Sequence, residues 1–131
     1  TQEKLAELTG SSQSYINNIE NAKENSKINN IENIEFMVGD VSKTFDKLYK
    51  IKPDVIFVDP PRKGLDEITI TNMLKINPKK IVYISCNPAS LVRDLKKLEE
   101  KYNICKITPL DLFPYTNHVE NVTILMRKQS D

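Results

Sequence analysis

The chain has 131 residues, 39% hydrophobic and 28% charged, which suits one domain with a modest core and leaves no room for a second full domain. A formal charge of +1 excludes a global field that would draw the chain onto nucleic acid. The two cysteines, Cys86 and Cys105, have neither zinc-site nor disulfide spacing. With no secretory segment and no transmembrane-length run, they point to a reducing cytoplasm, no metal and no membrane.

From Ser12 to about Asn30, Ile16, Ile19, Ala22 and Lys23 recur at helical spacing. Ile34 to Val38 reads as a short strand closed by Gly39-Asp40. Asp54 to Val58 is a continuous apolar strand, and Asp59-Pro60-Pro61 ends it because proline cannot donate to a ladder. A helix over Asp66–Ile76 is capped by Asp66, and a strand follows over Lys80–Ser85. Pro88 to about Tyr102 is amphipathic, with Leu91, Leu95 and Leu98 inward and the lysines outward. Ile104–Leu112 and Val119–Arg127 are the last two strands. Helices alternating with strands, then two strands in succession, define an α/β fold. Its sheet is mostly parallel with an antiparallel last strand, and helices lie on its faces.

Two segments stand apart. Ser85-Cys86-Asn87-Pro88 puts a thiol at a strand's C-terminal end, where open α/β sheets place their ligands. Phe113-Pro114-Tyr115-Thr116-Asn117-His118-Val119-Glu120 is a polar turn that ends in a carboxylate. A nucleophile and a base on neighbouring strand ends form a catalytic pair. Taken singly, each has a blander meaning: a small buried hydrophobe for Cys86, a surface glutamate opening a strand for Glu120. His118, the sole histidine, is a rival base. Asp40 and Asp59 close strands that face the expected crevice, although Gly39-Asp40 is equally an ordinary turn. Arg62-Lys63, Lys79-Lys80 and Arg93 with Lys96-Lys97 read as solvated surface, and Cys105 as core.

Asp59-Pro60-Pro61-Arg62-Lys63-Gly64, then Ile81 to Asn87, then Leu110 to Glu120 resemble the motifs of the S-adenosylmethionine-dependent RNA uracil-C5 methyltransferases. The resemblance covers roughly Ile19 to Lys128, and Ser90 stands where that family usually has threonine. It implies a truncated Rossmann-like sheet, with parent strand order 3-2-1-4-5-7-6, and an uridine in transfer or ribosomal RNA as substrate. By the same resemblance Cys86 is the nucleophile and Glu120 the base, with His118 supporting. S-adenosylmethionine lies near Asp59 at its methionine end and Asp40 at its adenine. Methyltransferases of exocyclic amines follow a similar Asp-Pro-Pro with an aromatic ring; Arg62 stands there instead.

The family's fold opens with a strand and a glycine-rich cofactor turn, and none of the three glycines here sits in such a turn. Thr1 to Glu20 resembles part of a repressor-type helix-turn-helix, in which Gln13, Ser14 and Asn17 would face a DNA groove. Residues 1–24 are therefore expected to be a helical segment foreign to the parent fold, and 25–131 the C-terminal part of the catalytic domain. The expectation is an RNA methyltransferase fragment that is inactive in isolation, with DNA an unlikely partner. The alternative is a non-catalytic nucleic-acid-binding or regulatory chain that uses the N-terminal segment.

Overall fold

Strand positions in this chain are fixed by what stops them. Val55-Ile56-Phe57-Val58 has no polar residue and is bounded by Asp54 and by Asp59-Pro60-Pro61; it forms β1 (Val55–Val58). The computed structural model describes residues 13–36, 41–112, 114–116 and 119–129. The chain divides into two compact units, Thr1–Thr44 and Phe45–Asp131.

In the first unit, α1 (Gln13–Ile28) ends where Asn30 adopts a left-handed φ of 54°. The Ile31 N–H reaches back to the Ser26 carbonyl at 2.8 Å, satisfying one of the helix's last acceptors. Residues 34–36, expected to open a strand, are irregular. Residues 37–40, with Asp40, and the start of the helix-turn-helix-like stretch lie outside the described residues.

An unforeseen helix, α2 (Val41–Ile51), follows. Phe45 is buried, and Leu48 and Tyr49, one turn on, pack against the same core. Tyr49 also donates to Asn72 Oδ1 at 2.8 Å, tying α2 to α3 (Glu67–Ile76). Asp66 caps α3 as expected, its carboxylate accepting from the Thr69 N–H at 2.7 Å. β2 (Lys80–Ser85) leads into α4 (Pro88–Leu98), and Pro88 sits at the helix start, where its missing N–H costs nothing. α4 stops four residues short of the expected Tyr102, because Tyr102 opens β3 (Tyr102–Leu110). Its buried hydroxyl donates to the Pro78 carbonyl at 2.9 Å, which pulls that residue off the helix.

The last strand, β4 (Glu120–Arg127), inserts between β2 and β3, giving the order β1-β2-β4-β3. β1 and β2 are parallel, and β4 runs antiparallel to both of its neighbours. Three strands thus point one way and the last strand the other, which is the 4-5-7-6 portion of the parent order. Alternate residues of β2 and β4 are buried, Ile81 facing Leu125 and Tyr83 facing Thr123. Ile70, Met73, Leu91, Leu95 and Leu98 from α3 and α4 complete that core. Val55 and Phe57 point to the other face of β1 and are exposed, Phe57 at 71%. The register of β3 slips between Ile104 and Lys106, leaving Cys105 at a bulge. Cys105 is exposed there, contrary to the core position expected of it.

Burial pushes the Tyr102 phenol up from 10.0 to about 12. The folded state then holds this proton more tightly than the unfolded state, so the stability Tyr102 contributes is complete below pH 10 and is lost as pH rises towards 12. Urea unfolding of the wild type should weaken across that window, and Tyr102→Phe should flatten the dependence. Equal slopes for the two proteins would remove Tyr102 as the cause.

Candidate active site

The residues after β1, after β2 and before β4 meet at one edge of the sheet. Val58 pairs with Tyr83 in the parallel register, so Asp59 leaves β1 beside the last turns of β2. Ser85 faces Asn121 as the last pair of the β2–β4 ladder, so Cys86, next along the chain, and Glu120, one residue before Asn121, flank that pair at the same end of the two strands. Directly opposed residues in an antiparallel pair share a face. Ser85 and Asn121 lie on the buried face, so the alternation along β4 assigns Glu120 to the other, and both Cys86 and Glu120 are half-buried. Asp59 is exposed at the same edge and makes no ion pair among the described residues. The structure thus brings together three of the four expected site residues; the fourth, Asp40, and the rival base His118 lie outside the described residues.

The turn that carries Cys86 is built from its own polar neighbours. Ser85 Oγ accepts from the Asn87 N–H at 3.1 Å and donates to the Asn87 carbonyl at 3.0 Å. Asn87 caps α4 by accepting from the Ala89 N–H at 3.0 Å. Ser90, the residue that departs from the family's threonine, donates its hydroxyl to the Asn87 carbonyl at 3.1 Å. The hydroxyl that the two residue types share makes that contact.

Behind this edge lies a buried carboxylate that sequence analysis missed. Asp94 is fully buried on α4. Its Oδ2 accepts from the Leu65 N–H at 2.8 Å and from the Tyr83 hydroxyl at 2.7 Å. Its Oδ1 accepts from Arg93 Nε at 2.9 Å and Nη2 at 2.8 Å. A buried charge is tolerated only when it is satisfied in this way. Burial, then Asp94, pushes the Tyr83 phenol far up, so its proton stays in place as donor. One signal in the sequence marks Asp94: it interrupts the inward row of Leu91, Leu95 and Leu98 with a charge.

Gly64 lets the loop after β1 approach this carboxylate. Its φ is +79°, and a Cβ there would lie 2.5 Å from Asp94 Oδ2 and 2.6 Å from Arg93 Nη2. Gly64→Ala is expected to cost about 1–3 kcal/mol, combining a left-handed backbone with the clash. Urea unfolding measures it, and a cost below about 0.5 kcal/mol, the range of an inert surface change, would refute the close approach.

The basic residues at the opposite edge have a structural occupation. A cleft of about 940 Å³ there is lined by Lys79, Lys101, Arg127 and Lys128, away from Cys86. Lys101 donates to the Leu74 carbonyl, Arg127 to that of Asn77 and Lys128 to that of Glu99, each near a helix C-terminus. Among the described residues no group of three or more His, Cys, Asp or Glu side chains is placed to hold a metal. No helix among them is long and apolar enough to cross a membrane.

A sheet of order β1-β2-β4-β3, the 4-5-7-6 portion of the Rossmann-like order, with helices packed on it, defines the fold of an S-adenosylmethionine-dependent methyltransferase. The model of the family described as tRNA (Uracil-5-)-methyltransferase matches residues 11–128, and the chain belongs to that family. It is 48% identical over 116 residues to an RNA methyltransferase of Staphylococcus epidermidis, covering 86% of this chain and 25% of that protein. It is 50% identical over 113 residues to the RNA methyltransferase YljE of Lactococcus lactis, covering 84% and 25%. The crystal structure of the Pyrococcus abyssi tRNA (uracil-54, C5)-methyltransferase with S-adenosyl-L-homocysteine superposes with a TM-score of 0.72. That match has 37% identity and covers 88% of this chain and 27% of that one. The M1.HpyAVI–SAM complex, 16% identical with a TM-score of 0.57, shares the fold alone. The chain thus spans about a quarter of the length of the curated relatives it matches.

Proposed function

We propose that this chain carries the uracil-attacking end of an RNA uracil-C5 methyltransferase, which methylates a uridine of transfer or ribosomal RNA from S-adenosylmethionine. The observation that supports this reading is that Cys86 and Glu120 flank the last Ser85–Asn121 pair of the β2–β4 ladder, within a family match that spans both.

Uracil C5 is a weak nucleophile. The Cys86 thiolate adds to C6, and the electron pair of the C5–C6 double bond moves onto C5 as an enolate. S-adenosylmethionine, when bound, would supply a methyl sulfonium to C5, the S–CH3 bond breaking as the neutral thioether S-adenosylhomocysteine leaves. C5 then bears both a proton and a methyl group. The Glu120 carboxylate takes the proton, the C–H electron pair re-forms the double bond, and Cys86 leaves as thiolate. Asp59, an exposed carboxylate with no ion pair among the described residues, suits the ammonium at the methionine end of the cofactor. Asp40 is assigned to the adenine by resemblance. The isolated chain is inactive in this reading: its three glycines include no cofactor turn, so S-adenosylmethionine binds more weakly than about 1 mM.

The test replaces the matching quarter of the Staphylococcus epidermidis relative with this sequence. The hybrid is incubated with S-adenosylmethionine and 5-fluorouridine transfer RNA, in which C5 has no proton to lose. A denaturation-resistant adduct is expected, with RNA on the peptide containing Cys86. RNA on another residue, or no adduct where the unaltered relative forms one, rejects the proposal.

A further inference from the structure

We propose that Asp94 is a positioning residue that sets the spacing between the Asp59–Leu65 loop and the turn carrying Cys86. Its catalytic meaning rests on the function proposed above.

Three segments converge on this one carboxylate. Leu65 belongs to the loop that follows Asp59; Tyr83 lies on β2 three residues before Cys86; Asp94 itself lies on the helix that the Cys86 turn opens. The loop's backbone is read almost entirely by α4 and its cap. Asn87 Nδ2 donates to the Arg62 carbonyl at 3.0 Å, and Arg93 Nη2 to the Lys63 carbonyl at 2.7 Å. The Leu65 N–H completes the set on Asp94. Arg93 reaches Lys63 because Asp94 Oδ1 holds its guanidinium by two donors, so the second contact depends on the first. Tyr83 lies on the covered face of β2, and the hydrogen bonds of Asp94 and Arg93 go to Leu65, Tyr83, Lys63 and each other rather than to Cys86, so the clamp acts through the backbone around the site. Gly64 leaves no slack: a methyl group there would overlap both clamp residues.

A residue that only stabilised the core would loosen the whole unit when replaced. A positioning residue loosens the loop and the Cys86 turn and leaves the far strands intact. The 131-residue chain separates the two by amide exchange and by thiol alkylation, with exposed Cys105 as internal reference. Asp94→Asn is expected to speed exchange at Leu65 by about tenfold or more while Leu125, at the centre of the sheet, stays protected. The ratio of Cys86 to Cys105 alkylation rates is expected to change by at least about threefold. Arg93→Ala, at a half-exposed position, should give a weaker form of the same pattern and answers the question if Asp94→Asn does not fold. Unchanged exchange at Leu65, or an unchanged alkylation ratio, overturns the proposal. Loss of protection at Leu125 in step with Leu65 also overturns it, since Asp94 is then a core residue only. If the local pattern holds but no fluorouridine adduct forms on Cys86, the clamp stands and the proposed function falls.

Discussion

Cys86→Ala, made in the hybrid methyltransferase, is expected to lower methyl transfer by about 10⁴-fold or more and to abolish the 5-fluorouridine adduct. The size of the effect follows from the order of events. Without a thiol at C6, no electron density reaches C5, and the methyl sulfonium meets an unactivated carbon. If the thiol acts only on the reacting ring, RNA affinity should survive within a few-fold and the loss should fall on kcat rather than on KM. The side chain is half-buried and replaced by a smaller one at a strand end, so the fold is retained. A circular dichroism melt close to wild type makes the kinetic loss interpretable. A variant that still methylates at more than about a hundredth of the wild-type rate would transfer the nucleophile role away from Cys86.

Glu120→Gln is expected to fail one step later and to look quite different on a gel. Methyl transfer proceeds once, because Cys86 and C5 are untouched, but the C5 proton stays and Cys86 cannot leave. With ordinary uridine RNA the enzyme should accumulate as a denaturation-resistant complex whose nucleotide already carries the methyl group. Turnover should drop by about 10²–10⁴-fold, the range of a lost general base. Glutamine preserves the size of the side chain and its place opposite Leu110 and beside the Cys86 turn, so geometry is held while the proton acceptor is removed. Normal release of product would move the base role to His118 or to water. The two substitutions distinguish addition from elimination within a single active-site edge.

How far this edge was legible in the sequence depended on which constraints were local. Asp59-Pro60-Pro61 announces its own strand end because proline removes a donor, and β1 stops there. Asp66 as a cap and the two strands bracketing the Phe113–Val119 turn were legible for similarly local reasons. α2 was legible but missed: Val41, Phe45, Leu48 and Tyr49 recur at the i, i+4, i+7, i+8 spacing of an amphipathic helix, and Phe45, Leu48 and Tyr49 meet the core. Asp94 was hidden for a different reason. A carboxylate within an inward leucine row looks like a break in the pattern, and only its partners from Leu65 and Tyr83, distant in sequence, give it a purpose. Cys105 misled because a bulge changes which face a residue meets, and residue type does not announce the bulge.

The insertion of β4 between β2 and β3 also has a consequence for synthesis. The strand made after β2 and β3 takes the place between them, so neither has its full ladder until Glu120–Arg127 has emerged from the ribosome. The turn at residue 86 therefore gains its neighbour Glu120 only when β4 emerges, and a nascent chain stalled earlier holds two unzipped strand edges. Pulse proteolysis of ribosome-bound chains should show protection arriving abruptly once β4 is clear; gradual protection beginning with β3 alone would contradict it. Emergence of β4 and closure of the β2–β4–β3 ladder are, in this topology, one event.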